Sequence, residues 1–77
     1  MNYKVGFITL NLGDAKKATY ENWEYFFNNM LADISRHDII AIATQEDQPK
    51  SLVLQAAETK LKHLFQVINF QGHPLNV

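Results

Sequence analysis

The run Ile39-Ile40-Ala41-Ile42-Ala43-Thr44 constrains this chain more than any other stretch. It is apolar almost without a break. A strand with one wet face alternates apolar and polar residues, whereas a strand covered on both faces, as in a central parallel sheet, does not need to. The run opens after Asp38 and stops at three polar residues, Gln45-Glu46-Asp47. It therefore predicts a buried parallel strand whose carboxyl end carries hydrogen-bonding and acidic groups.

The flanking segments supply the rest of such a unit. Val5-Gly6-Phe7-Ile8-Thr9-Leu10-Asn11 is rich in β-branched and aromatic residues, alternates poorly and ends near Gly13-Asp14, which predicts a strand followed by a turn. Between the two strands, Thr19 suits a helix N-cap and Glu21 the first turn, where the helix dipole favours an anion. Trp23, Phe26, Phe27, Met30, Leu31 and Ile34 recur at offsets of three and four and mark one helix face. Arg36 and His37 are expected in the last turn. After the second strand, Pro49 and Ser51 signal another helix start, with Leu54, Ala57, Leu61 and Leu64 at helical spacing. Phe65-Gln66-Val67-Ile68-Asn69-Phe70 reads as a third strand, closed by Gly72 and Pro74. The expected order is β-α-β-α-β, an α/β fold with a parallel pair joined by a right-handed crossover.

Size and charge narrow the classes of function. The chain has 77 residues and room for one small domain. Three strands are few for a parallel sheet covered on both faces, so residues 1–77 are expected to be the N-terminal part of a longer single domain. Seven basic against eight acidic residues give a net charge of −1. That is poorly suited to stand-alone nucleic-acid binding, which depends on neutralising phosphates. There are no cysteines, which excludes disulfides, thiolate metal sites and cysteine nucleophiles in this chain. No apolar run approaches the roughly 20 residues of a membrane span, and the apolar stretch Val5–Leu12 is short for a signal-peptide core. The expectation is a cytoplasmic protein.

In open parallel α/β sheets, ligands bind beyond the carboxyl ends of the strands. Here those ends carry Asn11 and Gln45-Glu46-Asp47. Asn11 and Glu46 lie 35 residues apart, about one strand–helix–strand unit, so both are expected on one rim. Glu46 offers a hard carboxylate oxygen suited to magnesium, which often takes one or two carboxylates together with water and substrate phosphate. Asn11 offers an amide that both donates and accepts. Glycine-rich phosphate loops are absent, which disfavours a nucleotide-cofactor enzyme.

These residues resemble a family. Thr9-Leu10-Asn11-Leu12-Gly13 is similar to the first motif of the endonuclease/exonuclease/phosphatase superfamily, usually Thr-Trp-Asn. Asp38-Ile39-Ile40-Ala41-Ile42-Ala43-Thr44-Gln45-Glu46 resembles its second, an apolar strand ending in Gln-Glu. The wording Ala-Ile-Ala-Thr-Gln-Glu, with Gly13 soon after Asn11, leans toward the inositol-polyphosphate phosphatase branch. The resemblance spans nearly the whole chain but only the beginning of the family's domain. It implies a four-layer α/β sandwich and magnesium-dependent cleavage of phosphate esters, with an inositol phosphate or phosphoinositide favoured over nucleic acid. Glu46 would be the metal ligand and Asn11 a catalytic group organising the rim and the phosphate. Leu10 departs from the usual Trp, a change expected to alter packing more than chemistry. The family's later Asp-x-Asn motif and terminal Asp-His pair have no counterpart here, so the chain alone is expected to be inactive.

Plainer roles stand beside these. Taken singly, Glu46 is an ordinary solvated strand-end carboxylate and Asn11 a turn former. Asp47 is a residue of the approach to the second helix or an acid supporting Glu46. His37, His63 and His73 are separated by 26 and 10 residues, without metal-site spacing, and read as surface or turn residues. Lys16-Lys17 reads as solvated surface with a possible phosphate contact. Trp23, Phe26 and Phe27 read as core because they share the apolar helix face. Two other functions remain open on these residues: a small non-enzymatic α/β module that pairs through its sheet edge, and a degenerate relative without activity.

Overall fold

The computed structural model describes residues 2–13 and 17–68. Over these the chain runs β1 (Val5–Asn11), α1 (Tyr20–Ile34), β2 (Ile39–Gln45) and α2 (Leu52–Leu61), a mixed α/β arrangement. The two strands pair in parallel, from Val5 opposite Ile39 to Asn11 opposite Gln45. At their start, Lys4 N–H donates to Asp38 Oδ2 at 2.7 Å. In return Asp38 N–H donates to the Lys4 carbonyl at 2.8 Å. This reciprocal pair fixes the register where both strands begin. At the other end Leu12 N–H donates to the Gln45 carbonyl at 2.8 Å and carries the pairing one residue past Asn11.

Both helices begin at the predicted caps. Thr19 Oγ1 accepts from Asn22 N–H, and Asn22 Oδ1 accepts from Thr19 N–H, a reciprocal box that satisfies two otherwise orphaned donors. Ser51 Oγ accepts from Leu54 N–H at 3.1 Å. Helix α1 stops at Ile34, with Ser35 as its C-cap. Arg36 and His37 therefore follow the helix instead of forming its last turn.

The helices cover one face of the sheet. Phe27 and Ile34 of α1 and Val53, Ala56, Ala57 and Leu61 of α2 form the buried core with Leu12. Ile8, Leu10, Ile40 and Ile42 pack against it from the sheet. These strand residues are even-numbered and share one face, as a period of two requires. The odd-numbered face is bare: Phe7 is 77% exposed, Ile39 51% and Val5 46%. The expectation of strands buried on both faces is thus corrected for the described residues, since both described helices lie together on one face and none of the described elements covers the other.

The third strand is also corrected. After Leu61 the chain makes a turn closed by bonds from Leu64 N–H and Phe65 N–H to the Leu61 carbonyl, both at 2.9 Å. Gln66, Val67 and Ile68 are in no strand. Asn69 and Phe70, with the Gly72 and Pro74 stop signals, lie outside the described residues. Leu64, expected on the apolar face of the helix, sits in that turn and is exposed. The described architecture is two strands and two helices, not five elements.

Helix α1 carries the aromatic part of the core unevenly. Phe27 is fully buried, while Trp23 and Phe26 pack against the core and remain half-buried. Trp23 stacks edge-on against Phe26 at 5.7 Å between ring centroids, and Phe26 against Phe27 at 5.1 Å. Lys60 of α2 reaches Glu24 of α1 at 3.5 Å. Among the described residues no helix is long and apolar enough to cross a membrane.

Candidate functional site

The carboxyl ends of β1 and β2 are brought side by side by the parallel register, with Asn11 opposite Gln45. Immediately beyond, Glu46 adopts φ 57°, a left-handed conformation uncommon for a residue with a side chain. That twist ends the alternation of β2 and sends the Glu46 side chain across the end of β1. Its carboxylate lies against Gly13: a methyl group placed on Gly13 would overlap Glu46 Oε2 and would stand 3.3 Å from Asn11 Oδ1. The two residues singled out from sequence therefore meet over one glycine, on one rim.

Each has a local role as well. Asn11 Oδ1 accepts from Gly13 N–H at 3.0 Å, the turn-forming bond expected of an asparagine at a strand end. A carbonyl oxygen has two lone pairs, so this bond leaves Oδ1 one free acceptor site. Both side chains belong to residues open to solvent, as a substrate-facing rim requires.

A small cleft of about 30 Å³ adjoins the rim, enough for one water molecule. Leu12, Trp23 and Val53 contribute its apolar side, and Glu46, Asp47 and Gln48 its polar side. Asp47 Oδ1 accepts from Gln48 N–H at 2.7 Å, whereas its Oδ2 is buried without a hydrogen-bond partner among the described residues. A buried carboxylate oxygen without a partner is costly. Asp47 is thus both a turn residue on the approach to α2 and an acid beside Glu46, and the first role does not exhaust it. A broader depression of about 530 Å³ lies along the outer side of α1, lined by Tyr25, Phe26 and Met30 among others. No charged residue lines it; its polar side chains are Asn22, Asn29 and Tyr25.

The remaining polar candidates are elsewhere. His37 lies at the opposite end of the sheet, where its ring approaches Gly6 so closely that a methyl there would meet Cδ2 at 2.9 Å. Its Nδ1 lies 2.9 Å from the Asp33 carbonyl. His63 is exposed in the turn after α2. Lys17 is exposed in the connection from β1 to α1, while Lys16 and His73 lie outside the described residues. Gly13 entered the sequence reading as a turn residue and as part of the first motif, not as a neighbour of Glu46. Its place two residues after a strand-end asparagine marked a turn, but only the approach of Glu46 gives it a second meaning.

A magnesium ion, the group the family resemblance implies, can be tested against this donor set. Among the described residues no three acidic or imidazole side chains gather as a complete metal cage. Magnesium seldom needs one: it binds through one or two carboxylates and keeps several waters or phosphate oxygens. Glu46, with the unpartnered Asp47 oxygen nearby and the Asn11 amide beside it, fits that partial set. No protein-family model, curated protein or solved structure matches the chain.

Proposed function

We propose that this chain forms the first part of a magnesium-dependent phosphoesterase site, the amino-terminal portion of a four-layer α/β sandwich of the endonuclease/exonuclease/phosphatase kind. One observation carries the reading: Asn11 at the end of β1 and Glu46 just past the end of the parallel neighbour β2 converge over Gly13 at the carboxyl rim of the sheet. That rim is where open α/β sheets bind ligands.

In this reading Glu46 holds the ion through a carboxylate oxygen, and Asn11 orients a phosphate oxygen through its amide N–H₂ while its Oδ1 stays tied to Gly13 N–H. Bound there, magnesium would polarise the phosphoryl oxygens and serve as a template for the ester. Asp47 supports Glu46 from the cleft. Leu12 and Trp23 give the rim an apolar wall and limit the water that reaches Glu46 from the core side. The substrate class is a phosphate ester, with an inositol phosphate or phosphoinositide favoured over nucleic acid by the resemblance carried by Ala-Ile-Ala-Thr-Gln-Glu and Gly13, and by a net charge of −1 with no long basic run to follow an extended phosphate backbone. The activation of water and the support of the leaving group need residues beyond these, so the 77-residue chain alone is inactive in this reading.

The test is a magnesium titration with phosphate release in the longest natural form of the protein. Glu46→Gln removes the charge that holds the ion and is expected to lose most metal-dependent turnover. Asn11→Ala is expected to lower turnover while leaving metal affinity largely intact. Full activity in Glu46→Gln would sink the assignment. A non-enzymatic module that pairs through its sheet edge has one observation in its favour, the edge that each strand leaves unpaired among the described residues. It predicts no phosphate release from any form of the protein.

A further inference from the structure

We infer that Gly13 is a positioning residue for Glu46, an inference that rests on the metal-binding reading of that carboxylate. A glycine here has two ordinary explanations, and the structure removes one. No described glycine has a positive φ, so the backbone at Gly13 is open to residues with a side chain. What remains is space. A Cβ on Gly13 would overlap Glu46 Oε2, approach Glu46 Cδ to 3.2 Å and stand 3.3 Å from Asn11 Oδ1.

The atoms in the way are informative. They are the tips of two side chains, not backbone and not core. Glu46 is exposed and its carboxylate is the far end of a flexible side chain, so an added methyl would swing it aside instead of straining the fold. The neighbouring Leu12 is buried in the core and anchors the turn whatever occupies position 13. Gly13 is therefore dispensable for folding and specific for where the carboxylate rests. Its N–H bond to Asn11 Oδ1 holds the amide on the other side of the same point. One residue thus sets both groups: its N–H fixes the asparagine, and its missing side chain admits the glutamate.

The experiment uses the 77-residue chain, labelled with ¹⁵N, and Mn²⁺ alone as a paramagnetic probe of a magnesium site. In the native chain Mn²⁺ should broaden the Glu46 backbone amide and the Asn11 side-chain NH₂ together. Gly13→Ala should weaken that binding by about tenfold or more, as loss of a group that orients a metal ligand does, with the melting temperature unchanged to within about 3 °C. A double-mutant cycle separates displacement of the carboxylate from any other effect. Glu46→Asp shortens the acid so that it no longer reaches the space of the added methyl, and in that background Gly13→Ala should cost less than about threefold.

Equal Mn²⁺ affinity in the native chain and in Gly13→Ala would overturn the inference. So would a Gly13→Ala chain that fails to fold, or an equal loss in the Glu46 and Glu46→Asp backgrounds. A different result marks failure of the underlying metal reading: no broadening at Glu46 in the native chain, or the same broadening in Glu46→Gln.

Discussion

Glu46 holds a left-handed backbone at φ 57°, which costs a residue with a side chain about 1–2 kcal/mol. Nothing in the packing of the strand demands a glutamate there, because the residue is exposed. Asparagine tolerates this conformation better than most residues. Glu46→Asn should therefore raise stability by about 0.5–1 kcal/mol and at the same time abolish Mn²⁺ broadening at the rim. Urea denaturation of the two chains measures the first effect. A destabilised Glu46→Asn would show that the glutamate is held by folding contacts and not by a functional demand. Asn11 is the converse case. Asn11→Ala deletes the acceptor of Gly13 N–H and should cost about 1 kcal/mol, read from the same denaturation curves.

Among the elements, α1 shows how a helix can be specified at one end and stabilised in the middle. The Thr19–Asn22 box satisfies donors at the start, and Thr19→Ala should cost about 1 kcal/mol. The core contribution is concentrated in Phe27, which is 0% exposed. Phe27→Ala should cost about 3–5 kcal/mol, enough to unfold most of the population of so small a chain. Trp23 is half-buried against the core and lines clefts on two sides, so Trp23→Ala should cost less, about 2 kcal/mol. Thermal melts of the two variants rank the residues. A larger loss for Trp23 than for Phe27 would contradict this packing. The Lys60–Glu24 pair between the helices is partly solvated. It helps to align α2 on α1 but contributes at most about 1 kcal/mol.

At the scale of the whole molecule, the main feature is asymmetry. One face of the sheet carries both helices; the other presents Val5, Phe7 and Ile39 to solvent. Each strand pairs only with the other among the described residues, so each also has an unpaired edge. Exposed apolar area next to open strand edges favours self-association. The 77-residue chain should associate more as its concentration rises. Phe7→Thr should reduce that association while changing stability by less than about 0.5 kcal/mol, because Phe7 is mostly exposed and threonine, like phenylalanine, is favoured in strands. Sedimentation velocity across a concentration series tests this. Association that is unaffected by Phe7→Thr would place the contact elsewhere.

The sequence by itself determined whatever depends on neighbours along the chain. Thr19 and Ser51 cap their helices because a hydroxyl reaches amides three residues on. The two apolar runs became strands because β-branched residues favour that backbone. The strand ends placed Asn11 and Glu46 on one rim because parallel strands joined by a single crossover finish on the same side. Local pattern carried no information about what lies across the sheet. The apolar residues at positions 5, 7 and 39 looked like buried ones, yet their exposure depends on whether anything covers that face. Phe65 to Ile68 had the composition of a strand, but a strand needs a partner for its hydrogen bonds, and the described sheet does not extend to them. Tertiary structure alone decided the meeting over Gly13. The twist at Glu46 and the turn after Asn11 are separated by more than thirty residues of sequence, and only the parallel pairing makes a missing side chain at one the resting place for a carboxylate from the other.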